Sequence, residues 1–196
     1  MTVLFERRAA MATLLADRPK NLFVVPGLGS CTWDAAAAGD DERNFYLWGA
    51  MGGAAMIGLG LALAQPELRV AVITGDGEML MGMGSLATIG VQKAKNLSVV
   101  IFDNGLYGET GRQASHTSSG VDLLEVARAC GFPTVLEIAD EANLRNLAGL
   151  LARGDGPLFA RVPITPDDPP RVLPEKDGVA IKERVRRAVE TLDVPR

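Results

Sequence analysis

Two short apolar runs, each stopping on an acidic residue beside a glycine or an amide, constrain this chain more than any other feature. Val70-Ala71-Val72-Ile73-Thr74 ends at Gly75-Asp76-Gly77, and Leu97-Ser98-Val99-Val100-Ile101-Phe102 ends at Asp103-Asn104. Both are rich in β-branched residues and too short for buried helices, so they read as interior strands. The 25 residues between the anchors, 78–102, hold a helical stretch and then the second strand, the spacing of a parallel βαβ unit. In such a sheet ligands collect outside the carboxyl ends of the strands, so both anchors should face one crevice. A carboxylate and a carboxamide there, beside glycines that expose backbone amides, suit Mg²⁺ and a diphosphate.

The rest of the chain alternates in the same way. Helices are expected over Thr2–Ala16, Gly53–Ala64, Glu78–Ala94, Val121–Cys130, Asp140–Leu151 and Val179–Leu192, with further strands at Asn21–Val25, Thr134–Ile138 and Pro157–Pro163. In the Glu78–Ala94 helix, Met79, Leu80, Met83, Leu86, Ile89 and Gly90 are expected to face the core. Gly27–Cys31 reads as a loop that brings backbone amides to an anion, and Gly105–Gly120 as a polar functional loop without regular structure. The segment from Thr165 to Asp177 carries Pro166, Pro169, Pro170 and Pro174 and should cross the surface extended. The fold class expected is α/β, a three-layer sandwich with a mostly parallel central sheet. A diphosphate-binding domain is assigned to residues 1–164, and an extended C-terminal arm and helix of the same domain to 165–196.

At 196 residues the chain has the length of one domain with a real core. A net charge of −4 argues against a nucleic-acid face. Cys31 and Cys130 make neither a disulfide framework nor a metal pair. The N-terminus carries Glu6, Arg7 and Arg8 instead of an apolar signal core, and the apolar stretch Gly49–Ala64 is short for a membrane span. The expectation is a cytoplasmic protein with no membrane and no nucleic-acid partner.

At the anchors, Asp76 offers a carboxylate oxygen, Asn104 an amide oxygen and the chain just after it a backbone carbonyl, a hard oxygen set for Mg²⁺. Gly75 and Gly77 allow close backbone approach, and the amides of Glu78 and Met79 open a helix whose dipole favours an anion. Four stretches, Asn44–Gly52, Gly75-Asp76-Gly77, Met83–Gly90 and Asp103–Gly111, together resemble the diphosphate-binding (PP) domain of thiamine diphosphate (ThDP)-dependent 2-oxoacid decarboxylases, with the nearest likeness to sulfopyruvate and phosphonopyruvate decarboxylases. The resemblance implies Asp76, Asn104 and the Leu106 carbonyl as Mg²⁺ ligands, and extends the cofactor contacts to Tyr107 and Gly108. It also implies that the Gly49 carbonyl and Met51 amide hold the aminopyrimidine, and that the Met51 side chain bends the cofactor.

The chain departs from that family in two ways. Asp103 stands where the family has the first Asn of a pair, just before the metal ligand. No segment is left for the pyrimidine-binding (Pyr) domain whose glutamate protonates the aminopyrimidine. The resemblance therefore implies a hetero-oligomer, with a separate Pyr-domain subunit carrying the catalytic Glu, acting on a small anionic 2-oxoacid.

Other residues near the anchors have readings of their own. Glu109 faces substrate or is solvated; His116 transfers a proton or is a plain loop residue; Arg112 pairs with an anion; Ser30 contacts the diphosphate or belongs to a turn. Met79, Met81 and Met83 read as core filler. Three alternatives stay open. One is a ThDP-dependent carboligase or synthase subunit. Another is a non-catalytic assembly subunit. The third is a dinucleotide-binding domain built on Gly82-Met-Gly-Ser-Leu-Ala87 and Asp103, although those glycines fall beyond the strand-end turn such a site uses.

Overall fold

The computed structural model describes residues 3–192. In chain order it comprises α1 (Arg7–Leu15), β1 (Leu22–Pro26), α2 (Ser30–Ala37), α3 (Ala54–Ala64), β2 (Arg69–Gly75), α4 (Asp76–Met81), α5 (Gly84–Gln92) and β3 (Leu97–Asp103). A small hairpin of β4 (Leu106–Tyr107) and β5 (Gln113–Ala114) follows, then α6 (Leu123–Ala129), β6 (Thr134–Glu137), α7 (Glu141–Arg153), β7 (Leu158–Pro163) and α8 (Gly178–Thr191). The five strands of the main sheet are all parallel, in the order β1-β2-β3-β7-β6.

Side chains alternate across the strands, so the sheet feeds two apolar cores. Val70, Val72, Val99 and Ile101 pack on one face with Leu59 of α3, Leu86 of α5 and Ala127 of α6. Ala71, Ile73, Val100 and Phe102 pack on the other with Met11 of α1, Ala35 of α2 and Leu147 of α7. The layout is the three-layer α/β sandwich expected. The chain passes over β7's position to lay down β6 and then returns, and this reversal puts α7 on the face opposite α6, as right-handed crossovers require.

Several elements differ from the sequence reading. The first helix begins at Arg7, because Glu6 caps it by accepting from the amides of Arg8 and Ala9 at 2.9 and 2.7 Å. Val3 and Leu4 are exposed instead of core-facing, and Phe5 forms a parallel bridge to Ile164. Thr2 lies outside the described residues. The expected loop Gly27–Cys31 is cut short by α2, which starts at Ser30 behind Gly29 at φ +82°.

The helix expected over Glu78–Ala94 is two helices that break at Gly82. A Cβ on Gly82 would stand 2.2 Å from the Gly52 carbonyl oxygen, so backbone packs directly on backbone there. Met83, expected in the core, is exposed as a result, and Leu80 is half-buried. The G-x-G-x-x-A pattern starts at this break, away from the β2–α4 turn, so it has no strand-end turn to occupy.

The stretch leading to Met51 is held at its start by ions. Asp41 pairs with Arg18 and Arg43, each at 2.6 Å, and Arg18 also donates to the Asn44 side chain at 2.6 Å. Burial pushes the Asp41 carboxyl up, but the hydrogen bonds from Arg43 and the charges of Arg18 and Arg43 outweigh it and hold it at about 2. Its folded pKa lies below the unfolded value, so this stabilisation is present above the ordinary aspartate pKa and is lost as pH falls through about 2. The stability deficit of Asp41→Asn should therefore be full at neutral pH and shrink on acidification below about pH 4, as urea titrations of both proteins across pH would record.

Packing of α3 yields a second prediction with two signs. A Cβ on Gly58 would meet Val72 Cγ2 at 2.2 Å, while nothing lies within 4 Å of one on Gly60. Gly58→Ala is expected to lower stability by about 1–3 kcal/mol through overpacking. Gly60→Ala is expected to raise it by about 0.5–1 kcal/mol through helix propensity. Denaturant midpoints of the two variants check both signs.

Candidate functional site

A cleft opens at the carboxyl ends of β1, β2 and β3. Of the residues singled out in the sequence, Ser30, Met51, Gly75, Asp76, Gly77, Glu78, Asn104, Leu106, Tyr107, Gly108, Glu109 and Arg112 line it. Gly49 and His116 are not among its lining residues. Gly49 is exposed on the preceding turn. His116 is exposed too, and its Nδ1 lies 2.9 Å from the Tyr107 hydroxyl, so it reaches the cleft wall through that tyrosine.

The register Gly75↔Phe102 sets the two strand ends level, which puts Asp76 and Asp103 side by side, 1% and 8% exposed. Two adjacent buried carboxylates need donors, and the polar loop supplies them. The Ser115 hydroxyl donates to Asp76 Oδ2, and the Thr117 hydroxyl lies 3.1 Å from Asp76 Oδ2 and 3.0 Å from Asp103 Oδ1. Asp103 also accepts from the Gly105 amide at 3.0 Å and pairs with Arg161 at 3.0 Å, so its role is structural. Among the described residues Asp76 has no basic partner. Burial pushes its carboxyl up and the Asp103 charge adds to this, while the Ser115 and Thr117 hydroxyls pull the other way.

Asn104 Oδ1 accepts from the Leu106 amide at 2.9 Å, a turn that folds the chain back into the hairpin. Across the hairpin the amides of Ser115 and Arg112 donate to the carbonyls of Gly105 and Tyr107 at 2.8 and 3.0 Å. Carbonyl direction alternates along a strand, so the Leu106 carbonyl is turned away from β5. Gly77 serves packing, since a Cβ there would stand 2.5 Å from Tyr107 Cδ1. No group of three His, Cys, Asp or Glu side chains gathers among the described residues.

Glu78 does something its place in the sequence did not suggest. Its side chain turns inward, 4% exposed, and accepts from Thr74 Oγ1 at 2.7 Å and from the Gly52 amide at 3.3 Å. The amides of Ala54 and Leu28 lie close enough to pull its pKa down. One carboxylate thus ties the end of β2 to the loop that carries Met51, and its Oε2 stands 2.1 Å from where a Gly27 Cβ would be, against the loop that carries Ser30. Burial pushes this carboxyl up, against the pull of Thr74 and the three amides. The turn it holds contains Ala50 at φ +54° and Gly52 at φ +93°, both in the left-handed region. Glu78→Ala leaves these buried donors without an acceptor, so it is expected to cost about 1–3 kcal/mol. It should also speed hydrogen exchange at Leu28, Gly52 and Ala54 while β3 stays protected; unchanged exchange at those three amides would refute the tie.

The far wall of the cleft is formed by residues the sequence reading missed: Arg7, Trp33, Asp167, Asp168 and Arg171. Arg7 and Trp33 are 3% and 5% exposed. In sequence Arg7 appears only beside Glu6 and Arg8 in a charged N-terminus, and Trp33 carries no signal. Glu109 stands between the two walls, with its carboxylate where a Gly29 Cβ would be, at 2.5 Å. Partial burial pushes it up, opposed by the charges of Arg171 and Arg7.

Residues 27–162 match the thiamine pyrophosphate enzyme family, C-terminal TPP binding domain. The chain is 39% identical over 166 residues to the sulfopyruvate decarboxylase subunit beta of Methanothermobacter thermautotrophicus, covering 85% of this chain and 86% of that one. It is also 39% identical over 160 residues to the phosphonopyruvate decarboxylase of Streptomyces viridochromogenes, covering 82% of this chain and 40% of that relative's length. The fold superposes on benzoylformate decarboxylase from Polynucleobacter necessarius with a TM-score of 0.68 at 20% identity, covering 85% of this chain and 34% of that one. The level strand ends, the glycine-flanked Asp76 and the Asn104 turn all fall inside the matched span, and the chain belongs to the thiamine pyrophosphate enzymes, carrying their C-terminal TPP-binding domain.

Proposed function

We propose that this chain is the diphosphate-binding half of a ThDP- and Mg²⁺-dependent decarboxylase of a small anionic 2-oxoacid. In this reading a separate Pyr-domain subunit supplies the catalytic Glu, and the working enzyme is a cytoplasmic hetero-oligomer. The observation that carries the proposal is Asp76: a buried carboxylate with no basic partner among the described residues, lining one cleft with Asn104. The beta-subunit name of one relative, and its near-equal length, support a partner on a second chain.

The donor set fits the metal. Asp76 offers a carboxylate oxygen, Asn104 Oδ1 keeps a second lone pair beside its bond to Leu106, and the Leu106 carbonyl faces away from the hairpin. Three oxygens bearing one negative charge suit Mg²⁺ that must also hold a diphosphate. The opening amides of α4, at Gly77 to Met79, and the Ser30 hydroxyl are then the diphosphate's donors. Met51 is the apolar wedge against the bound rings, fixed by the Glu78 tie. ThDP, when bound, supplies the electron sink for loss of CO₂ from a 2-oxoacid. Glu109, at the cleft mouth with its carboxyl pushed up by partial burial, is placed to exchange a proton with a substrate there.

Asp76→Ala should weaken Mg²⁺-dependent ThDP binding by roughly 100-fold, the loss of one charged ligand, while leaving the fold and association with the partner intact. Calorimetry with ThDP and Mg²⁺, beside mass spectrometry of what co-purifies from native extract, tests both halves. Undiminished ThDP binding in the variant would remove Asp76 from the metal site. A wild-type chain that purifies alone and binds no ThDP would remove the decarboxylase-subunit reading.

A further inference from the structure

The far wall of the cleft holds buried donors that no acceptor in the described residues satisfies. Arg7 is 3% exposed, and its Nη2 has no hydrogen-bond partner. Trp33 is 5% exposed, and its Nε1 has none either. Guanidinium and indole groups donate and cannot accept, so only an incoming acceptor can satisfy them. Both line the cleft that holds Asp76 and Asn104. Arg171, from the proline-rich arm, lies over the Trp33 ring at 4.2 Å from its centroid and lines the same space.

Behind this wall the guanidiniums outnumber their buried counter-ion. Asp34 is the buried counter-ion, but it is shared between Arg7 at 3.3 Å and Arg8 at 3.2 Å, so one carboxylate faces two guanidiniums. Glu109, Asp167 and Asp168 also line the cleft, and all three are exposed at its mouth. Arg7 and Trp33 are buried, where the field is less screened, and Arg171 covers them from the exposed side.

We propose that Arg7, Trp33 and Arg171 form the subsite for the anionic group that the substrate carries at the end away from its 2-oxoacid. This rests on the decarboxylase reading above. A tetrahedral sulfonate or phosphonate presents three oxygens, enough for Arg7 Nη2, Trp33 Nε1 and Arg171 together. A carboxylate presents two, so it binds less well. The cofactor's diphosphate is the other oxyanion in reach, and the experiment separates it from the substrate.

Trp33 reports on its own subsite. In a Trp48→Phe background it is the sole tryptophan of the chain. Methanesulfonate, methylphosphonate and acetate are titrated against the full-length protein, with and without saturating ThDP and Mg²⁺. The expected result is a saturable fluorescence change, tighter for the two tetrahedral anions than for acetate and unaltered by ThDP. Arg7→Lys keeps a charge facing Asp34 but loses Nη2, and should weaken binding about tenfold; Arg171→Gln, at an exposed side chain, should weaken it about fivefold. No saturation, equal affinity in both variants, or competition by ThDP would overturn the subsite, the last by giving these donors to the diphosphate. Calorimetry for ThDP keeps the two readings apart. Normal ThDP binding without an anion signal rejects the subsite and leaves the decarboxylase reading. An anion signal without ThDP binding rejects the assignment to a decarboxylase substrate.

Discussion

Everything at this cleft depends on two carboxylates that the sheet forces together. Parallel pairing of β2 with β3 levels their ends, and the next residue of each is an aspartate or follows one directly. Left alone, Asp76 and Asp103 would repel each other in a place with little water. The loop from Gly105 to Gly120 resolves this by wrapping over them, with Ser115 and Thr117 as hydroxyl donors and Gly105 as an amide donor. Arg161 reaches Asp103 from β7, the neighbouring strand, and leaves Asp76 as the one of the pair without a cation among the described residues. One aspartate is neutralised by the protein itself. The other is kept for something that binds.

A third buried carboxylate, Glu78, acts on geometry instead of charge. It sits two residues beyond Asp76 in α4 and gathers the loops that flank the cleft. Gly27 is needed because a Cβ there would strike Glu78 Oε2 at 2.1 Å, and Gly52 because the turn presses on the end of α4. Gly27 and Gly52 are thus explained by carboxylate and backbone packing, apart from any approach of a phosphate. Preorganisation of this kind lets Met51 and Ser30 stand at fixed distances before a ligand arrives.

Much of this was legible in the chain, and the reasons are local. Val70–Thr74 and Leu97–Phe102 are β-branched runs whose stops coincide with their anchors, so strand, direction and crevice could be read together. The cap at Asp177 and the apolar spacing of Ile181, Val185 and Ala188 likewise mark α8 in sequence. What could not be read depends on contacts between distant segments. The break at Gly82 exists because Gly52, thirty residues earlier, presses on it. The polar loop was recognised as irregular, but its two short strands and its hydroxyl donors make sense only once Asp76 and Asp103 are neighbours. Arg7 stood out in sequence only as part of a charged N-terminus and is buried, because Asp34 of α2 lies opposite it.

The proline-rich arm between β7 and α8 is fastened to the body largely through its main chain. Arg8 donates to the Pro170 carbonyl, Arg112 to that of Pro166, and Trp48 Nε1 to that of Glu175 at 2.7 Å. Proline lacks an amide donor but keeps its carbonyl, so this segment offers acceptors with few competing donors of its own. A grip on carbonyls does not depend on which side chains the arm bears. The arm can therefore drift in sequence while holding its path across the cleft mouth, and the residues free to vary there are the ones facing whatever enters. Selection on ligand preference has in this segment a surface it can edit without loosening the fold.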